Sequence, residues 1–364
     1  MPMTGNYRRR FSNFFGFVIT ALAIAWAISS FALQEKISPL SDYQYKRDYA
    51  RYEEIKKETD PQKRADLLLA FVKERPISKI LMYVASDYVE CLKSYMEKKD
   101  WAKVTAMQEA FWAAIPDEKT VQEAGIPVGT EEFIKDQLRP TQKLILTALT
   151  AAYYQANNFA KAAEAAEKGY QITQDKSMLP ALADIYLKIP DTDKYLAIGQ
   201  KILSESSIEQ SYSMALQMAQ VYIQKQDLKS AADLLGKVMD VYGDKVPPNV
   251  QESAWNATRA FAYGVMASAV YASKDYAKAL ELYQKVVKFD PKREDAYYFI
   301  GMCKWQNKDQ QGAVEAFARS VVLNKTYAER ARKYMEDLYK ALHNGSLDGL
   351  DEVLAKAKSE LGIS

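Results

Sequence analysis

Between Ala260 and Tyr327 the apolar positions follow two rhythms at once. Within each cluster they fall three and four residues apart, the spacing of one helix face, and the whole arrangement returns after 34 residues. Tyr263 is matched by Tyr297, Met266 by Ile300, Ala267 by Gly301, Ala279 by Ala313 and Tyr283 by Phe317. Each copy predicts two helices joined by a short polar turn, Ser273-Lys274-Asp275 in the first and Asn307-Lys308-Asp309 in the second. The small residues at 267/301 and 279/313 mark where two helices must approach closely. The rings at 283/317 are large enough to fill the space between one helix pair and the next. Pro291 follows the second helix of the first copy, where it stops it. Weaker copies extend upstream: 212–245 (Met218, Ala219, Tyr222, Leu228, Ala231, Leu235), 177–211, 143–176 (Leu149, Tyr153, Phe159, Ala162, Gly169) and 85–118 (Tyr88, Leu92, Tyr95, Trp101). Two stretches break the period, 116–140 with Gly125, Pro127 and Gly129, and 243–250 with Pro247-Pro248. They are expected either to project as loops on a binding face or to adjust pitch.

The segment YASKDYAKALELYQKVVKFDP (271–291), together with the 34-residue period, resembles the tetratricopeptide repeat (TPR) family. The second copy departs at Gln310 and Lys325, where that family usually has an aromatic residue and a proline. The resemblance implies an all-α fold, a TPR α-solenoid with a right-handed superhelix of helix pairs over 83–327, clearest in 260–293 and 294–327. It also implies a concave groove lined by the first helix of each pair, which would present Tyr154, Ile223, Phe261, Tyr271, Tyr298, Met302 and Trp305. Such an aromatic wall suits an extended peptide or a helix; the alternative is that some of these rings are inter-repeat core. TPR domains that grip a C-terminal carboxylate carry Lys and Asn there. Thr147, Ala151, Leu216, Gln220, Gly264 and Ser268 stand at those positions here, so that mode is not expected.

The ends of the chain read differently. Residues 1–10 are short and polar and close on Arg8-Arg9-Arg10; residues 11–33 follow as an expected transmembrane helix, with no charge between Phe14 and Leu33. Twenty residues at about 1.5 Å each span the roughly 30 Å hydrocarbon layer. The arginines keep the N-terminus cytoplasmic, which places the rest of the chain across the membrane. A cleaved signal peptide, with Ala25-Trp26-Ala27 or Ser30-Phe31-Ala32 at the cleavage site, is the alternative. Residues 34–82 hold a linker and a helical hairpin. Ser41 is the expected N-cap with Gln44 reaching back to it, Tyr45, Tyr49, Tyr52 and Ile55 form one side, and Pro61 opens the second helix. Residues 328–364 are expected to cap the solenoid, with Ser346 starting a last helix whose stripe is Leu347, Leu350, Leu354, Ala357 and Leu361.

Charge and chemistry narrow the function. Forty-nine basic and 47 acidic residues leave +2 with no long run of either sign, which argues against a nucleic-acid surface. One histidine, His343, and two cysteines, Cys91 and Cys303, give no haem, zinc or His-based catalytic set, and no phosphate loop is present. The cysteines are expected to be small buried side chains. No cofactor, metal or small-molecule substrate is implied, and no enzyme. The expected function is a membrane-anchored bacterial-type scaffold, in the inner membrane with its TPR domain periplasmic, binding another envelope protein and supporting assembly of a complex. A chaperone-like holdase at the translocon and a cytoplasm-facing adaptor are the alternatives.

Overall fold

The computed structural model describes residues 38–126, 128–189 and 191–363, and every element among them is helical. They form two compact units, one running to Asp191 and one from Thr192. The expected membrane span, 11–33, lies outside the described residues. Within them no helix is long and apolar enough to cross a membrane.

In the first unit α1 (Asp42–Ile55) and α2 (Pro61–Glu74) make the N-terminal hairpin. There follow α3 (Leu81–Cys91), the short α4 (Lys93–Glu97), α5 (Trp101–Ala114) and α6 (Glu118–Glu123). Then come α7 (Thr130–Phe133), α8 (Arg139–Gln155), α9 (Phe159–Thr173) and α10 (Leu179–Lys188). A π turn, Ile134–Leu138, carries α7 into α8. Pro61 sits in the first turn of α2, behind an Asp60 cap that accepts from Lys63 N at 2.8 Å. The face that α1 buries includes Tyr52 and Ile55 of the expected side but not Tyr45 and Tyr49. Gln44, Asp48, Tyr52 and Ile55 point inward, while Tyr45 and Tyr49 remain 36% and 42% exposed. Ser41 does cap the helix, accepting from Gln44 N at 3.2 Å. The Gln44 amide does not reach back to it, however, and donates instead to Asp48 at 2.6 Å. Ser78 donates to the other Asp48 oxygen at 2.7 Å, so a satisfied polar network displaces the two tyrosines from the interior.

The second unit runs α11 (Thr192–Glu205), α12 (Ile208–Gln224), α13 (Leu228–Tyr242), α14 (Glu252–Ala272) and α15 (Tyr276–Phe289). It closes with α16 (Glu294–Gln306), α17 (Gln310–Leu323), α18 (Ala328–Leu342) and α19 (Leu350–Glu360). From α11 to α18 each helix packs on the next, and α19 folds back on α17. The break at 243–250 is a non-helical connection, followed by a long α14 of 21 residues. Its first turns are pinned by Trp255, which donates to Tyr242 O at 2.9 Å and meets the Tyr212 and Tyr242 rings edge-on. The last helix starts later than the sequence suggests. Gly345 and Gly349 take φ of 91° and 89°, Ser346 caps only its own turn by accepting from Asp348 N, and Leu347 stays exposed. Leu350 and Ala357 are the residues of the predicted stripe that enter the core.

One local device recurs in both units. At Lys99, Asn157, Gln226, Lys274 and Lys308 the backbone turns left-handed, with φ between 57° and 68°. The next residue, Asp100, Asn158, Asp227, Asp275 or Asp309, donates its N–H to the carbonyl five residues back and caps the following helix with its side chain. The turn thus satisfies the orphan carbonyls of one helix and the orphan N–H groups of the next. Asp275→Ala should lower stability by about 1 kcal/mol, and Asp275→Asn, which keeps the acceptor, by much less. Urea denaturation of the two variants checks this. Cys91 and Cys303 are both free and buried.

Candidate functional site: the first-helix faces

In the first unit α8, α9 and α10 enclose a recess of about 400 Å³. Thr147, Ala151, Tyr154 and Gln155, one face of α8, form a wall; Met178 and Ile185 stand among the facing residues. Helical spacing puts those four residues together on α8, which carries Pro140 in its first turn, where proline is tolerated. Tyr154 is half-buried, edge-on to Phe159 at 5.3 Å. Its hydroxyl is hydrogen-bonded to the Asp184 carboxylate, which raises its pKa above the usual phenol value. Lys143 also lines the recess; it pairs with Asp175, and this pairing with the Ser177 hydrogen bonds holds the Asp175 carboxyl down at about 2. The lining is therefore apolar with a few fixed polar groups, the composition of a site for side chains of a partner.

In the second unit the expected residues divide. Tyr271, Met302 and Trp305 are half-buried on α14 and α16, with part of each side chain open to solvent. Tyr298 is buried instead. Its ring stacks on Tyr327 at 4.6 Å and stands 5.9 Å from Phe317 and 6.3 Å from Tyr334, so it belongs to the inter-helix core and not to a free surface. Phe299 links the rings, 5.2 Å from both Tyr271 and Tyr298, and Tyr334 lies 5.4 Å from Trp305. Phe299, Tyr327 and Tyr334 were not among the expected groove residues. Phe299 follows Tyr298 directly, about 100° further round the helix, so the spacing of Tyr298, Met302 and Trp305 does not point to it. Tyr334 lies beyond the last repeat, although Tyr327, Ala331, Tyr334 and Leu338 share a helical spacing that signals it. Ile223 and Phe261 are half-buried on α12 and α14, and the ring network does not extend to them among the described residues.

Desolvation raises the Tyr271 phenol to about 12 and the Cys303 thiol to about 12, so both remain protonated near neutral pH. Among the described residues no group of three or more His, Cys, Asp or Glu side chains is placed to hold a metal ion.

No protein-family model matches this chain, and no curated protein matches it. Solved TPR structures do. The YrrB structure, described as a TPR protein with an unusual peptide-binding site, is 13% identical with a TM-score of 0.39, covering 56% of this chain and 97% of its own. A tetratricopeptide repeat protein from Parabacteroides merdae is 13% identical at a TM-score of 0.35, covering 75% of this chain and 98% of its own. The TPR2AB-domain:pHSP90 complex of yeast Sti1 is 13% identical at a TM-score of 0.32, covering 86% of this chain and 98% of its own. The TPR architecture of this chain itself rests on the repeated capped turn and on the 34-residue offset between α15 and α17, which begin at 276 and 310.

Proposed function

We propose that this chain is a non-catalytic scaffold held to the bacterial inner membrane by residues 11–33, with its TPR domain on the extracytoplasmic side, where it binds another envelope protein and supports assembly of a complex. The observation that carries the binding reading is the apolar recess beneath Tyr154 on the first-helix wall of the first unit. The partly open side chains of Tyr271, Met302 and Trp305 offer a matching aromatic surface in the second unit. Aromatic anchors beside an apolar recess are the kind of feature that concentrates binding energy. The three arginines ahead of the uncharged segment supply the orientation.

The test is photo-crosslinking in cells from position 305, followed by recovery from membranes of the otherwise unchanged chain and of the same chain carrying Tyr154→Ala or Tyr271→Ala. One dominant crosslinked protein, lost by about tenfold or more in at least one variant, is expected. Many unrelated crosslinked chains would make it a holdase; a band protected from protease until the inner membrane is lysed would place it in the cytoplasm. An unchanged partner yield from both variants sinks the groove reading.

A further inference from the structure

A second recess, of about 880 Å³, lies in the first unit and shares no lining residue with the Tyr154 wall. Its sides come from the start of α1, the start of α3, and the insertion 116–140 that interrupts the repeats. Leu40 and Phe133 are buried at 5% and 3%, while Tyr83 and Val128 stand 57% and 78% exposed at its rim beside Tyr45. Gly129 holds the insertion close to this floor: at φ of 87° it begins α7, and an added Cβ would meet Leu40 at 3.6 Å. Large apolar side chains left in water around one hollow mark an interaction surface rather than scattered surface residues.

The charges lining this recess choose the partner. Asp42, Glu132 and Asp136 face it against a single cation, Lys79, which is already bridged to Asp42 at 3.0 Å. Glu132 and Asp136 are exposed and four residues apart; of the cations beside them, Arg139 is bridged to Glu118 at 2.6 Å and Lys135 lines the adjoining hollow rather than this one, so within this recess the acidic groups stay in excess. Two like charges at that spacing repel one another and are relieved by an external cation. The same excess disfavours an anionic lipid surface. We infer that this recess docks an extended segment of a partner protein in which a lysine or arginine adjoins an apolar side chain, the cation meeting Glu132 and Asp136 and the apolar group meeting Leu40, Tyr83 and Phe133. This surface shares no lining residue with the Tyr154 recess and is indifferent to what binds there.

The test uses the full chain and two short fluorescein-labelled peptides, one alternating lysine and leucine, the other alternating glutamate and leucine, read by anisotropy. The lysine peptide is expected to bind and the glutamate peptide not to. The Glu132→Gln/Asp136→Asn double variant, exposed at both sites and checked for native helicity, should weaken binding by about tenfold. Tyr83→Ala should also weaken it, and Tyr154→Ala should leave it unchanged. Equal binding of the two peptides, no binding of either, or a double variant that binds as wild type overturns the inference. So does protection of Tyr83 and Val128 from carbene footprinting by added neutral phosphatidylcholine vesicles but not by the lysine peptide, which would assign a membrane surface instead.

Discussion

Phe317→Ala should lower the unfolding free energy by about 3–5 kcal/mol, among the largest losses expected from one substitution in this chain. The ring is fully buried where α16, α17 and α18 meet, with Tyr298 and Tyr334 rings 5.9 Å and 5.8 Å away. Removing it loses the transfer free energy of a phenyl group. It also leaves a cavity that helices locked by capped turns can close only in part. Phe317 further explains why its neighbour is glycine: a Cβ on Gly301 would lie 2.6 Å from the ring. Alanine is favoured over glycine within a helix by about 1 kcal/mol, yet Gly301→Ala should destabilise, because crowding a packed site costs about 1–3 kcal/mol. Once Phe317→Ala has removed the ring, the same Gly301→Ala change should stabilise. Urea titrations of the four proteins in the cycle check this. A Gly301→Ala effect of one sign in both backgrounds would show that the close approach is not what selects glycine.

Asp48→Ala should cost about 2–6 kcal/mol, from two buried donors each losing its acceptor at about 1–3 kcal/mol. Asp48 is 2% exposed and accepts from Gln44 and Ser78, themselves 4% and 0% exposed, while Arg75 approaches to 3.8 Å. Ala removes both acceptors, and water cannot readily reach the Ser78 hydroxyl. The consequence is specific in place. This network joins α1 to the segment between α2 and α3, so hydrogen exchange should quicken first in α1, ahead of the α8–α9 pair. Replacing Gln44 and Asp48 together by leucine should cost much less than Asp48→Ala, since only the Ser78 hydroxyl is then left without its acceptor. A double leucine variant as unstable as Asp48→Ala would mean that the site depends on its charge rather than on satisfied hydrogen bonds.

The division of labour between sequence and fold follows from these cases. The 34-residue period, the helix pairs from 260 to 327, the Asp and Asn caps after each turn, and Pro61 at its helix start all depend on residues close in sequence. Spacing and backbone chemistry therefore make them legible without coordinates. The α8 wall with Tyr154 was likewise readable, because residues three and four apart on one helix must share a face. The inward face of α1 was not, because its polar stripe is decided by Ser78, 30 residues away from Asp48. Tyr298 could be placed on a helix side but not assigned to core or surface, since Tyr327 and Tyr334 cover it from beyond the last clear repeat. The rim at Tyr83, Glu132 and Asp136 had no local signature at all. It exists because an insertion of irregular sequence folds against a hairpin some ninety residues earlier. Periodicity encodes what a helix does with its own turns; which side chains stay in water is decided by what the rest of the chain brings to cover them.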